Sequence, residues 1–353
     1  MKPAFPPDPR KILLIRLKGI GDVLLSTPLM RALRKSFPKA EIHFLTRAFC
    51  APILAHHPCL DKLWIYPPAE VSFQETLKFI WFLRQIRFDW VLDLAAEPRS
   101  AWLTLFLGAP LRAGFAFRIR QWAFNRPVPK NKVRKYQAEV NLDILRHLGV
   151  PDDGNQTELF LKSAETQWAG QAWASLEKNN PLKWKIGLNP TGSWPSKRWP
   201  LDYWRQLAAL IHERLGAKPV LCGGPNDGEI LGEVLRGIEG KVLVKPDTNL
   251  RQAAAFISRM DLLIGNDGTP QHLAQALGVK SLTVCGPHWG LSWTKPSDMR
   301  HRILQHFLDC GPCDLNVCPF PKEEGKAAHL HQECLLKITP EKVLDSALEM
   351  LES

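Results

Sequence analysis

The sequence predicts an α/β protein of two Rossmann-like domains facing a central cleft, and three observations carry this. The chain has 353 residues, more than one ordinary core accommodates. Short apolar runs alternate with helical periodicity in both halves, which implies parallel βαβ units. A polar stretch at 151–158, Pro-Asp-Asp-Gly-Asn-Gln-Thr-Glu, separates the halves. We expect an N-terminal domain over 1–165 and a C-terminal domain over 166–353.

The elements follow in chain order. Residues 11–17, Lys-Ile-Leu-Leu-Ile-Arg-Leu, form a near-continuous apolar run, the pattern of a buried strand, and lead into the turn Lys18-Gly-Ile-Gly-Asp22. Leu29, Met30, Leu33 and Phe37 then recur at helical spacing, behind Thr27 as cap and Pro28 as first helical residue. Residues 41–46 and 90–94 read as strands. Between them, 73–88 is apolar but broken by Glu75, Lys78, Arg84 and Arg87, so it is not a membrane-spanning helix. In the second half, strands are expected at 185–189, 219–222, 261–265 and 281–285. Helices are expected over 202–215, ended by Gly216, and over 270–277, ended by Gly278.

Composition narrows the function. With 45% hydrophobic and 23% charged residues the chain is globular, neither disordered nor fibrous. A formal charge of +11 calls for an acidic partner: nucleic acid, a phosphorylated glycan or an anionic membrane surface. The N-terminus has no apolar core of a secretory signal, and eight cysteines without one suit reduced thiols or metal ligands. The expected compartment is the cytoplasm.

Three clusters could carry chemistry, each just beyond the carboxyl end of a strand, where doubly wound sheets bind ligands. In the first turn, Asp22 is either a helix cap or a general base on a glycine turn. A nicotinamide fingerprint is incomplete there, since Leu24 occupies its third glycine position. The second cluster, 189–200, offers Thr191, Gly192 and Ser193 as hydroxyls and open backbone, and Lys197 as a point charge for phosphate; the alternative is a solvated polar loop. In the third, Gly268 and Thr269 open a helix whose N–H groups and dipole suit a diphosphate. Asp267 would bond its own loop or a sugar hydroxyl, and His272 either touches ligand or packs as a helix residue.

These clusters in this order resemble glycosyltransferase family 9, the ADP-heptose:lipopolysaccharide heptosyltransferases. The resemblance runs along nearly the whole chain. It rests on Gly21-Asp22 with Ser26-Thr-Pro28, on Asn189-Pro through Lys197-Arg-Trp-Pro200, on Gly223-Gly-Pro-Asn-Asp227, on Asn266-Asp-Gly-Thr-Pro-Gln-His272 and on Thr339-Pro-Glu-Lys-Val343. It implies a GT-B-like fold whose N-terminal domain takes the acceptor and whose C-terminal domain takes the nucleotide sugar, with the last helix, about 340–351, returning to the first domain. It places the catalytic aspartate on Asp22, the phosphate-binding lysine on Lys197 and the D-[ST]-G-x-x-H loop on Asp267 to His272, here in the order Asp-Gly-Thr. It further places an acidic residue near the nucleoside on Asp227 and the base pocket near Thr248. The implied reaction is an inverting transfer of heptose, or a related sugar, from an ADP-sugar to a lipopolysaccharide-core-like acceptor. No D-x-D occurs in the chain, so no cofactor is expected in catalysis.

Two features stand outside these clusters. Cys310, Cys313, Cys318 and Cys334, with His329 and His331 nearby, could enclose a structural zinc or iron; free thiols or one disulfide are the alternatives. Residues 98–138 contain nine basic residues, interleaved aromatics and no acid. Such a run is a solvated face, a single-stranded nucleic-acid surface or a contact for an anionic acceptor and its membrane. We expect the last, with Lys18, Arg118, Arg120 and Arg126 on the acceptor, an anionic glycolipid, and peripheral contact with the cytoplasmic face of the inner membrane, not nucleic acid. A nicotinamide-dependent oxidoreductase and a non-catalytic glycan- or nucleic-acid-binding protein are the rival readings.

Overall fold

The computed structural model describes residues 8–95, 97–129, 133–178, 182–245, 247–295, 298–320 and 331–353, without the side chains of 118–120. It comprises two compact units, Met1–Phe160 and Leu161–Ser353.

Unit 1 runs β1 (Lys11–Ile15), α1 (Ile20–Leu24), α2 (Thr27–Ser36), β2 (Glu41–Thr46), α3 (Ala51–Leu54), β3 (Lys62–Ile65), α4 (Phe73–Gln85), β4 (Trp90–Asp93), α5 (Pro98–Leu107), β5 (Leu111–Phe115), β6 (Arg126–Val128) and α6 (Gln137–His147). The strands lie in the order β3-β2-β1-β4-β5-β6 and every pair is parallel. Burial explains the apolar first run: Ile12 to Ile15 are fully buried, as a central parallel strand requires. Helix α2 keeps its apolar stripe and its proline in the first turn, but Thr27 is not its cap. The Thr27 hydroxyl donates to the Leu24 carbonyl and the Ser26 hydroxyl to that of Asp22, so both side chains bond back into α1.

Unit 2 runs α7 (Ser163–Glu177), β7 (Ile186–Asn189), α8 (Leu201–Leu215), β8 (Val220–Leu221), α9 (Gly228–Leu235), β9 (Leu243–Val244), α10 (Leu250–Ile257), β10 (Leu262–Asn266), α11 (Thr269–Leu277), β11 (Lys280–Cys285), β12 (His301–Gln305), α12 (Glu333–Leu336) and α13 (Pro340–Glu352). Its sheet, β12-β11-β10-β7-β8-β9, is also parallel throughout. β7 and β10 each start one residue later than expected, because the Lys185 N–H donates to the Asp261 carboxylate at 2.8 Å instead of to a strand. α8 ends at Gly216, whose φ of +61° is a left-handed conformation.

Val343, Leu344, Ala347, Met350 and Leu351 of α13 enter the core of unit 2, together with Trp199, Trp204 and Ile264. Its apolar stripe is therefore used within the second unit, where it packs on α8.

In each sheet the order reverses direction once, between β1 and β4 in unit 1 and between β7 and β10 in unit 2. Ligands of open parallel sheets bind beyond the carboxyl ends of strands at such a reversal.

Candidate active site

In unit 1 the reversal point holds Asp22. Gly19, at φ +74°, turns the chain off β1, and Asp22 falls in the first turn of α1. The Arg16 guanidinium pairs with Asp22 Oδ1 and also donates to the Leu94 carbonyl at the end of β4. It therefore fixes one carboxylate oxygen and leaves Oδ2 toward Gly19. The Asp22 side chain is one-fifth exposed. It does not cap the helix. Nearby, Lys18 pairs with Glu97 at 2.7 Å at the start of α5.

In unit 2 the reversal point brings the second and third clusters together. Asn266, the last residue of β10, is fully buried and works as a clasp. Its Nδ2 donates to the carbonyls of Pro190 (2.9 Å) and Thr191 (3.1 Å), and its Oδ1 accepts from the Trp199 N–H (3.0 Å). Trp199 anchors the far end of the loop, buried against Trp204, with its indole N–H on the Ile338 carbonyl at 2.8 Å. Between those anchors Lys197 Nζ reaches Asp267 Oδ2 at 2.7 Å and lies 5.1 Å from the Trp194 ring. Asp267 thus bonds the neighbouring loop's lysine, where its own loop's backbone or a sugar hydroxyl was expected. The pair is mostly buried, with side chains 15% and 8% exposed.

Helix α11 begins beside this pair, with Gly268 as an extended N-cap that makes no side-chain cap. His272 is buried in its first turn, edge-on to Trp293 at 6.2 Å. Thr191 is also buried, its hydroxyl on Asn189 Oδ1 at 3.2 Å; Gly192 accepts from Arg198 through its carbonyl; Ser193 is exposed.

The two residues expected near the nucleoside are engaged locally. Asp227 precedes α9 and accepts from the Gly224 N–H at 2.7 Å, closing its own turn. Thr248 accepts from Lys245 Nζ at 2.6 Å.

Sequence reasoning missed a further group. His288 follows β11 and is 7% exposed. Its Nδ1 lies 2.8 Å from Asp314 Oδ1, and its ring sits 4.8 Å from Trp194, the same ring that Lys197 covers. Burial first, then the Lys197 cation, hold its pKa below the usual histidine value. Asp314 Oδ1 can only accept, so in the neutral ring the proton sits on Nδ1. That leaves the lone pair of Nε2 as an acceptor, buried and with no hydrogen-bond partner among the described residues. The available signal was positional: Gly286-Pro-His288 follows a strand just as the other clusters do.

Other expected residues are dispersed. Arg126 is exposed on β6, and the side chains of Arg118 and Arg120 lie outside the described residues. Not all of the basic run faces solvent: Arg112 donates to the carbonyls of Ala109 and Ala123, and Lys135 pairs with Asp143. The four late cysteines are free thiols. Among the described residues no three His, Cys, Asp or Glu side chains are placed to hold a metal ion, so the candidate zinc or iron site is not supported; His329 lies outside those residues. The 310–318 segment instead braces the lysine loop, since Ser196 bonds the carbonyls of Leu315 and Asn316.

Comparison with known proteins identifies the family. The profile of glycosyltransferase family 9 (heptosyltransferase) matches residues 76–323. The chain is similar to lipopolysaccharide heptosyltransferase 2 of Escherichia coli K12, at 26% identity over 97% of this chain and 98% of that one. Among solved structures it is similar to a family 9 glycosyl transferase from Veillonella parvula, with TM-score 0.80, 24% identity and 98% of each chain covered. It is also similar to E. coli ADP-heptose lipopolysaccharide heptosyltransferase II, with TM-score 0.77, 23% identity and coverage of 97% and 98%. These matches do not favour the oxidoreductase or non-catalytic readings. The chain belongs to glycosyltransferase family 9, the heptosyltransferases, and is a GT-B-like glycosyltransferase.

Proposed function

We propose that this enzyme transfers heptose, or a closely related sugar, from an ADP-sugar to a lipopolysaccharide-core acceptor by a single inverting displacement. Unit 1 takes the acceptor and unit 2 the donor. Asp22 Oδ2 accepts the proton of the attacking hydroxyl, while Arg16 holds the other oxygen in place. The new bond forms at the anomeric carbon as the bond to the diphosphate breaks, and its electron pair leaves with the nucleotide. Lys197 and the N–H groups opening α11 meet that developing charge. Asp267 positions Lys197, and Thr191, Gly192 and Ser193 lie along the same loop. His288 accepts a hydrogen bond from a donor-sugar hydroxyl through Nε2. Lys18, Arg118, Arg120 and Arg126 supply positive charge toward an anionic glycolipid acceptor, and Asp227 and Thr248 lie toward the nucleoside. No cofactor takes part. The setting is the cytoplasmic face of the inner membrane; among the described residues no helix is long and apolar enough to cross a membrane.

The observation that carries the reading is the Lys197–Asp267 pair at 2.7 Å at the strand-order reversal of unit 2, beside an open helix N-terminus. Thermal stabilisation by ADP-, UDP- and GDP-sugars, followed by transfer assays, tests it. An ADP-sugar should stabilise the protein most and be turned over. Stabilisation by UDP- or GDP-sugars alone would overturn the donor assignment.

A further inference from the structure

Helix α4 carries an exposed apolar row beside its buried one. Its inner row, Phe79, Ile80 and Leu83, packs into the core of unit 1 with Val91 and Leu103. Its outer row is Phe73, Leu77 and Trp81, spaced i, i+4, i+8, at 75%, 44% and 66% exposure, with Phe82 beside it at 51%. A surface helix ordinarily presents polar groups there.

The neighbouring helix repeats the pattern. α5 packs beside α4, and Arg84 of α4 donates to the Phe106 carbonyl of α5. The outer row of α5 is Arg99, Trp102 and Phe106, with both aromatics about half exposed. Trp102 stacks on Phe106 at 5.7 Å and meets the exposed Trp122 edge-on at 4.6 Å. Aromatics gathered on two adjoining helices differ from the scattered single apolar residues that any surface carries, and they mark a contact face.

Charge identifies the occupant. Lys78, Arg84, Arg87 and Arg99 are all exposed around these aromatics, and the acid-free stretch 98–138 takes in α5 and Trp122. Glu75 is the exposed acid of α4, and it is bonded to Ser72 at the helix cap. Tryptophan and phenylalanine ringed by Lys and Arg match a lipid interface, where rings settle at headgroup depth and cations meet anionic headgroups. A second copy of the chain fits less well, because a symmetric pairing sets basic rim against basic rim.

We infer that the outer face of α4 and α5 is a docking surface for an anionic lipid bilayer, with Phe73, Leu77, Trp81, Trp102 and Phe106 as its anchors. The inference extends the reading that the acceptor is lipid-borne, and its test separates the two. Full-length protein is sedimented with vesicles of phosphatidylethanolamine and phosphatidylglycerol, and with phosphatidylcholine alone. The wild type should bind the anionic vesicles at least about tenfold more tightly. The variant Phe73→Ser/Leu77→Ser/Trp81→Ser should lose about tenfold or more of that binding, while circular dichroism shows the wild-type fold and transfer to a deacylated, water-soluble acceptor stays within about twofold. Single Trp81→Ser and Trp102→Ser variants serve if the triple variant does not fold, and each should weaken binding severalfold.

Equal vesicle binding by wild type and variants, or none by the wild type, would overturn the docking face. So would a wild-type dimer that these substitutions convert to monomer, which would make the face a self-association surface. Vesicle binding lost as expected, with no transfer to any lipopolysaccharide-type acceptor by the wild type, would instead count against the acceptor reading and leave the docking face standing.

Discussion

Gly19→Ala isolates the placement of the proposed base. A Cβ at Gly19 would lie 2.2 Å from Asp22 Oδ2 and 3.0 Å from its Cγ, so the carboxylate must move. Backbone strain adds to this, because φ +74° with ψ 121° lies outside even the left-handed helical region, where an alanine costs at least about 1–2 kcal/mol. For a unit of this size that corresponds to a fall in Tm of roughly 2–8 °C. Turnover should suffer more. A displacement near 1 Å costs about 100-fold, and full loss of general-base catalysis about 100- to 10,000-fold. Gly216→Ala separates the two effects, since its φ is +61° and nothing lies within 4 Å of its would-be Cβ. That variant should lose no more stability than Gly19→Ala and keep its activity. The assay is kcat from initial rates of sugar transfer, with Tm by calorimetry on the same preparations. Asp22→Asn gives the reference for a base present in shape but not in function. A Gly19→Ala enzyme within about threefold of wild-type kcat would refute the role of Asp22 Oδ2.

Lys197→Met should abolish detectable transfer and destabilise the protein by about 3 kcal/mol, because it leaves the buried Asp267 carboxylate uncompensated. Lys197→Met/Asp267→Asn should recover most of the stability in denaturant titrations and none of the turnover. His288→Phe should raise the KM for the donor about tenfold or more, with a smaller effect on kcat; an unchanged KM would remove His288 from the donor site. Buried His57 and His301 both have pKa values lowered to about 4, chiefly by burial. Between that value and an unfolded pKa near 6.5 the unfolded chain binds more protons. Their contribution is therefore complete above pH ~6.5 and declines as the pH falls toward ~4, by about 3 kcal/mol for each histidine. Urea midpoints measured across this range should fall with pH, and His57→Gln should flatten the decline.

Part of the fold was legible because its signals are local. Buried central strands such as β1, β2, β7 and β10 are short apolar runs, and α8 and α11 carry glycine stops. The strands left unread are those in which tertiary context overrides composition. β12, His-Arg-Ile-Leu-Gln, is a polar edge strand. β9 is two residues long. β5 contains Gly114, whose missing side chain makes room for the Phe124 ring; an added Cβ would lie 2.5 Å from it. The site shows the same division. Asp22, Lys197 and Asp267 stood out because each follows a strand, whereas His288 depends on Asp314, 26 residues away, for its tautomer.

The sequence by itself determined the alternation of strands and helices and the position of the chemical loops at strand ends, because periodicity, turns and stops act over a few residues. Only the tertiary structure decided which strands are neighbours. That choice sets β7 beside β10 and so joins Lys197 to Asp267 across 70 residues of chain, with Asn266 clasping both loops. It also sent the stripe of α13 into unit 2 and left the aromatics of α4 facing outward. An apolar stripe states that a face seeks cover, but what covers it is settled by packing between segments far apart in the chain.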